Sequence, residues 1–161
     1  MEADHYRALM RHQAGAVTVI AAGASGRRSG ITATAFSSLS DEPPAILACV
    51  SLKSSVHAVI RESGTFSVNI LASDQQDVAE RFSGKTGLKG EDRFVGSAWL
   101  NLATGAPILE GALASLDCRL SEQHVFATHS IFIGIVLGGQ FRAEAQPLLY
   151  FRNDYWDLGT R

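Results

Sequence analysis

Residues 114–121 alternate without a break: Ala114, Leu116, Cys118 and Leu120 interleave with Ser115, Asp117, Arg119 and Ser121. A period of two is that of a half-buried strand, because successive Cβ atoms of an extended chain point to opposite faces. The apolar run 131–137 follows within a few residues and suits a strand covered on both faces. This half of the chain is thereby committed to sheet, and the rest must extend that sheet or cover it.

The remaining segments read in the same way. Residues 16–22 are β-branched and apolar, 23–30 have hairpin composition, and 31–36 alternate threonine with small apolar residues as a second strand. Pro43-Pro44 breaks the chain before a third strand at 46–51, and 65–71 and 147–151 supply two more. Helices are short. Asp4 is expected to cap one that carries Tyr6, Leu9 and Met10 and ends at Gly15. A second starts at Ser54 or Ser55, puts Val56, Val59 and Ile60 on one face and stops at Gly64. The pair Ser73 and Gln76 reads as a capping box opening a third, which buries Val78, Ala79 and Phe82 and stops at Gly84. Residues 84–111, rich in glycine and charge, predict a long loop with one short strand near Trp99. No βαβ rhythm repeats, so the expected fold is mainly β, an antiparallel barrel with peripheral helices.

Composition narrows the partners. At 161 residues, 46% of them hydrophobic and 19% charged, the chain reads as one globular domain over 1–161 with a sizeable core. Its 14 Lys and Arg against 16 Asp and Glu give a net charge of −2, without the cationic excess that a phosphate backbone draws on, so no nucleic acid is expected. Cys49 and Cys118 lie in apolar runs and are too few for a disulfide framework; both read as reduced thiols. The first residues mix charges without an apolar signal core, and no stretch reaches the roughly 18–20 apolar residues of a membrane span. A cytoplasmic protein with no membrane partner is expected.

Several motifs fail on inspection. Ser83-Gly-Lys-Thr86 ends like a phosphate-binding P-loop, but Ala79 and Glu80 occupy the region of its first glycine and a helix precedes it where a strand is required. Gly23, Gly26 and Gly30 lack dinucleotide-fold spacing, and Arg27-Arg28 between them reads as a solvated hairpin tip. His124 and His129, an odd number of residues apart, are expected on opposite strand faces, and no metal site is expected. There is no G-x-S-x-G elbow.

What survives is uncharged and hydroxyl-rich: Thr32-Ala-Thr-Ala-Phe-Ser-Ser38, Ser51-Leu-Lys-Ser-Ser55, and a lone His129 before an apolar strand. Small residues let a planar ligand reach the backbone, and serine hydroxyls beside a helix start can hold a phosphate, so these segments suit a nucleotide-cofactor site. They equally suit a plain barrel whose threonines fill strands, whose serines fill turns and whose His129 packs at the rim.

In register along the chain, five blocks resemble one family. They are Gly30-Ile-Thr-Ala-Thr-Ala-Phe-Ser-Ser-Leu-Ser40 with Pro43-Pro44; Gly64-Thr-Phe-Ser-Val-Asn-Ile-Leu-Ala72; Gln75 with Arg81-Phe-Ser-Gly84; Thr128-His-Ser-Ile-Phe-Ile-Gly-Ile-Val136; and Pro147-Leu-Leu-Tyr-Phe151. From about residue 12 to 156 the sequence resembles the short-chain flavin reductases, the NAD(P)H:flavin oxidoreductases that supply two-component monooxygenases. The resemblance implies an FMN-binding split β-barrel of Greek-key type with short flanking helices, working as a homodimer. It implies hydride transfer from NADH or NADPH to FMN or FAD, and release of reduced flavin to a partner flavin-dependent monooxygenase. A non-enzymatic flavin-binding or electron-carrier module on the same barrel is the alternative, because fold alone does not fix function.

Residue by residue, the resemblance assigns Thr32, Ala33 and Thr34 to the isoalloxazine edge and Ser37 and Ser38 to the ribityl chain. Ser51, Ser54 and Ser55 match its phosphate segment, with Lys53 adding charge, while Val56 stands where a threonine is frequent. Phe82 and Lys85 match the segment that closes over the cofactor, and Tyr155 the segment that covers the nicotinamide. His129 corresponds to the histidine beside the nicotinamide and is the catalytic candidate. Ala127-Thr128 replaces the frequent Gly-Asp before it, which favours an orienting role over a proton relay.

Overall fold

A computed structural model describes residues 1–159. Seven strands form one antiparallel sheet: β2 (Thr18–Ala22), β3 (Ser29–Ala33), β4 (Phe36–Asp41), β5 (Pro44–Ser51), β6 (Thr65–Ile70), β9 (Ala114–Phe126) and β10 (His129–Phe141). Their order is β3-β2-β6-β9-β10-β5-β4. The two outermost strands, β3 and β4, are one segment of chain bent at Thr34-Ala35, so a covalent corner joins the sheet's edges and curls it into a split barrel. The run predicted as a single strand over 31–36 is therefore two half-strands with different partners, β2 on one side of the bend and β5 on the other.

β1 (Gly15–Ala16), β11 (Leu149–Phe151) and β12 (Asp154–Trp156) form a small second sheet, and β7 (Trp99–Asn101) pairs with β8 (Pro107–Leu109). The predicted long loop thus contains a hairpin, preceded by a 3-10 turn at Gly90–Phe94. Helices α2 (Ser55–Ser63) and α3 (Gln76–Phe82) match their expected faces, burying Val56 and Ile60 and then Val78, Ala79 and Phe82. Gly64 ends α2 in the left-handed conformation, φ 68°, that glycine adopts without a Cβ clash. Before α3 the box is displaced by one residue. Gln75, not Gln76, reaches back to accept the Ala72 N–H at 3.0 Å, while Gln76 bonds Glu80 one turn on. The first helix, α1 (Ala3–Met10), stops well short of Gly15; Asp4 lies inside its first turn bonded to Arg7, and no α1 residue is buried.

All five residues of β2 are buried because two apolar clusters meet across it. Ile20 and Ala22 face the barrel interior with Phe66, Phe132 and the α2 residues Val56 and Ile60. Val19 and Ala21 face Phe82, Phe94 and Leu109 on the other side. Each fully buried large side chain contributes on the order of 1.5–3 kcal/mol, so this double layer fixes β2 and β3 firmly.

Two burial expectations are corrected. On β9 the polar residues Ser115 and Asp117 are as buried as Cys118, because the β7–β8 hairpin covers the face that alternation marked as wet. On β10 only the Ser130, Phe132 and Gly134 face is closed; Ile131, Ile133 and Ile135 stay partly exposed because no element among the described residues covers them.

Candidate functional site

Two cavities run end to end along β3. The larger, about 790 Å³, is lined by Ser29, Ser51, Lys53, Ser54, Ser55 and Phe82 among others. The smaller, about 290 Å³, is lined by Thr32, Ala33, Thr34, Lys85, Tyr150 and Tyr155. Ile31 and Ser83 line both, so they form one cleft. β3 is placed to serve it: strand pairing occupies one edge, toward β2, and among the described residues leaves the other without a ladder partner. Gly30 keeps the strand close to α3, since a Cβ there would sit 2.7 Å from the Phe82 ring.

At the larger end the β5–α2 turn presents polar groups that are only partly engaged, the Ser51 hydroxyl accepting from the Lys53 N–H at 3.3 Å. Ser54 precedes the helix in extended conformation and its hydroxyl makes no capping bond. The first helical bond is His57 N–H to the Ser54 carbonyl, 3.1 Å, which leaves the Ser55 and Val56 amides ahead of it. Ser55 Oγ lies 2.7 Å from Ser29 Oγ, a residue that the sequence reading overlooked.

Cations surround this end. Lys53, Lys89, Arg27, Arg28 and Arg93 line it against one carboxylate, Glu91. Arg28 is not the solvated tip expected of it. Its guanidinium grips Glu91 at 2.8–3.2 Å, its backbone N–H donates to the same carboxylate at 2.6 Å, and it lies 4.5 Å over the Phe94 ring. Hydrogen bonding from Arg28 holds the Glu91 carboxyl below the usual carboxylate range despite partial burial. Arg93 donates to the carbonyls of Leu88, Gly30 and Phe82 at 2.8–3.2 Å, stapling the loop after α3 onto β3. No local motif marks Arg28, Glu91 or Arg93 for the cleft, because key partners are distant in sequence; only the cluster of charge in 84–111 hinted at Glu91 and Arg93.

At the smaller end Lys85 Nζ lies 5.7 Å over the Tyr155 ring, and Tyr155 meets Tyr150 with ring centroids 5.3 Å apart. Burial first, and then Glu80 and Tyr150, raise the Tyr155 pKa, so its hydroxyl stays a neutral donor. Thr32 gives its hydroxyl to the Ala79 carbonyl at 2.6 Å, and Thr18 gives its own to the Ala33 carbonyl at 2.8 Å. Thr32 therefore meets the cleft through backbone rather than hydroxyl.

Ten of the thirteen candidate residues line this cleft; Ser37, Ser38 and His129 do not. Ser37 and Ser38 lie past the bend, exposed on β4 against Leu47 and Ile46. His129 begins β10 directly across from Ser51, exposed, with Nδ1 2.8 Å from Thr128 Oγ1. His124 shares its face, contrary to the spacing argument, because the turn at Ala127-Thr128 puts the two histidines on paired strands.

A family model described as "Flavin reductase like domain" matches residues 10–159. The chain is 37% identical over 157 residues to "FMN reductase (NADH) RutF" of Stutzerimonas stutzeri, covering 98% of this chain and 89% of that one. It is 32% identical over 151 residues to the 4-hydroxyphenylacetate 3-monooxygenase reductase component of Salmonella dublin, covering 94% and 89%. The structure of flavin reductase PheA2 superposes with a TM-score of 0.90 at 31% identity, covering 99% of this chain and all of that one (100%).

Proposed function

Since the chain belongs to the flavin reductase like family, we propose that it is an NADH-dependent flavin reductase whose product, reduced flavin, serves a partner flavin-dependent monooxygenase. The single cleft along the unpaired edge of β3 carries this reading. One end is hydroxyl-rich and cationic, the other small-residued and aromatic, the order in which a flavin mononucleotide presents phosphate and ring. The relatives' names supply FMN as acceptor and NADH as donor. When bound, the flavin accepts a hydride from the reduced nicotinamide, chemistry that is the cofactors' own.

The chain's task is binding and orientation. Ser51, Ser54, Ser55 and Lys53 hold the phosphate by hydroxyl, amide and charge, with Ser29 fixing the Ser55 rotamer. The backbone of Thr32, Ala33 and Thr34 meets the ring edge, and Lys85 with Tyr155 closes over it, excluding water. His129, the candidate for the nicotinamide, stands outside this cleft across from Ser51, its ring held by Thr128. The partly exposed Ile131, Ile133 and Ile135 face, continued by exposed Leu137, supports a homodimer in which a second copy covers it. The described residues contain no helix long and apolar enough to cross a membrane, and a cytoplasmic setting completes the proposal.

The test is NADH oxidation in air by purified protein with no flavin, with FMN and with FAD, repeated with NADPH. Turnover that depends on added FMN and prefers NADH is expected. Flavin retained through dilution without turnover would instead identify an electron carrier.

A further inference from the structure

A third cavity, about 360 Å³, opens beyond the aromatic end of the cleft, between α1, the β11–β12 turn and the end of β3. Thr34 and Tyr150 line both this cavity and the aromatic chamber, so the two are continuous. Its lining includes three arginines, Arg7, Arg11 and Arg152, and no acidic residue. Arg7 is paired with Asp4 outside the wall. Among the described residues, the Arg11 and Arg152 guanidinium groups make no hydrogen bond or ion pair, and that of Arg152 lies 5.0 Å over the Phe151 ring.

The backbone that delivers Arg152 is unusual. β11 and β12 are joined by two residues, and both Arg152 and Asn153 are left-handed, φ 51° and 66°. Such a turn prefers asparagine and glycine, and an arginine at its first position is disfavoured by its Cβ. The same residue donates its N–H to the Arg11 carbonyl at 2.9 Å, tying the end of α1 to the turn. A helix with no buried residue is thus held in place by the turn that carries Arg152.

We infer that this cavity binds the pyrophosphate of the nicotinamide dinucleotide, with Arg11 and Arg152 as its ligands. The inference rests on the reductase reading, and it names where the donor's charge goes. The cationic end of the cleft, Lys53 and its neighbours, is taken by the flavin phosphate, and the 290 Å³ chamber by the ring and the nicotinamide stacked on it. A dianion leaving that chamber past Thr34 meets guanidinium forks whose planar geometry matches phosphate oxygens. The donor therefore crosses the ring's far edge, on the side opposite the flavin phosphate.

The test uses the double variant Arg11→Gln/Arg152→Gly. Glycine relieves the left-handed position, so the variant is expected to fold with Tm at or above that of the parent. With FMN-saturated protein, NAD+ binding measured by calorimetry is expected to weaken at least tenfold. In steady state KM for NADH rises by a similar factor with kcat within twofold, while KM for reduced nicotinamide mononucleotide, which lacks the pyrophosphate, stays put. Unchanged NAD+ affinity, or equal losses on the two donors, would overturn the inference. Absent turnover by the parent protein would count against the reductase reading alone, because NAD+ affinity decides the cavity without turnover.

Discussion

Two regions of this barrel use the same polar residue types in opposite ways. Under the β7–β8 hairpin, Ser67, Asn69, Ser115 and Asp117 are fully buried and fully engaged. Asn69 alone donates to the Val19 carbonyl at 3.2 Å and Ser67 Oγ at 2.9 Å, and accepts from the Leu109 N–H at 2.8 Å and the Ser115 hydroxyl at 2.9 Å. Asp117 accepts from both the amide, at 2.8 Å, and the hydroxyl of Thr104. Along the cleft, by contrast, the Ser54 hydroxyl makes no capping bond and one edge of β3 has no strand partner. Saturation by the protein's own groups marks scaffold, and its lack marks a place where a ligand completes the bonding.

The difference predicts opposite phenotypes for two small truncations. Asn69→Ala strands the Leu109 amide and the Ser115 hydroxyl in a dry interior, at a cost of about 3 kcal/mol, or roughly 10 °C in Tm. FMN affinity of the folded fraction should not change. A Tm loss under 2 °C would mean that the seam is no scaffold. Ser54→Ala removes a hydroxyl that caps nothing, so Tm should move by about 1 °C or less while the FMN dissociation constant rises on the order of tenfold. Calorimetry and thermal melts on the same samples check both; an Ser54→Ala protein that melts early and binds FMN normally would break the comparison.

How much of this was legible in the sequence follows the same line. α2 and its Gly64 stop and α3's buried face are local patterns, and they read correctly because their causes lie within one turn of the residues concerned. The sense of the alternation along β9 did not, since Ser115 and Asp117 are dry only because Asn69 and Thr104 come to them across the fold. The Arg28–Glu91 clamp joins residues 63 apart in sequence, and Arg93 bonds Gly30 over the same separation, so neither arginine carries a local signature. The cleft was legible where it is made of one segment and hidden where it is made of two.

The histidines offer the smallest and sharpest version of the contrast. His129 is exposed beside the cleft, whereas His57, on the helix that begins at the cationic end, is buried against Phe132 with ring centroids 5.1 Å apart. Gln123 donates to Ser130 Oγ at 2.9 Å, and the Ser130 hydroxyl is then free to donate to His57 Nε2 at 2.8 Å, a network satisfied by neutral imidazole. Burial, and secondarily the Arg61 charge, lower the His57 pKa from its ordinary value. The unfolded chain therefore takes up the proton first as pH falls. His57 contributes its full stability above about pH 6.5, and loses it as pH drops through the lowered folded value. Tm measured from pH 8 to 5 should decline below about pH 6.5, and His57→Gln should flatten that part of the decline at a cost of roughly 1 kcal/mol at pH 8. An undiminished slope in the variant would place the titrating group elsewhere, and would mean that saturation by Ser130 and Gln123 does not hold this ring neutral.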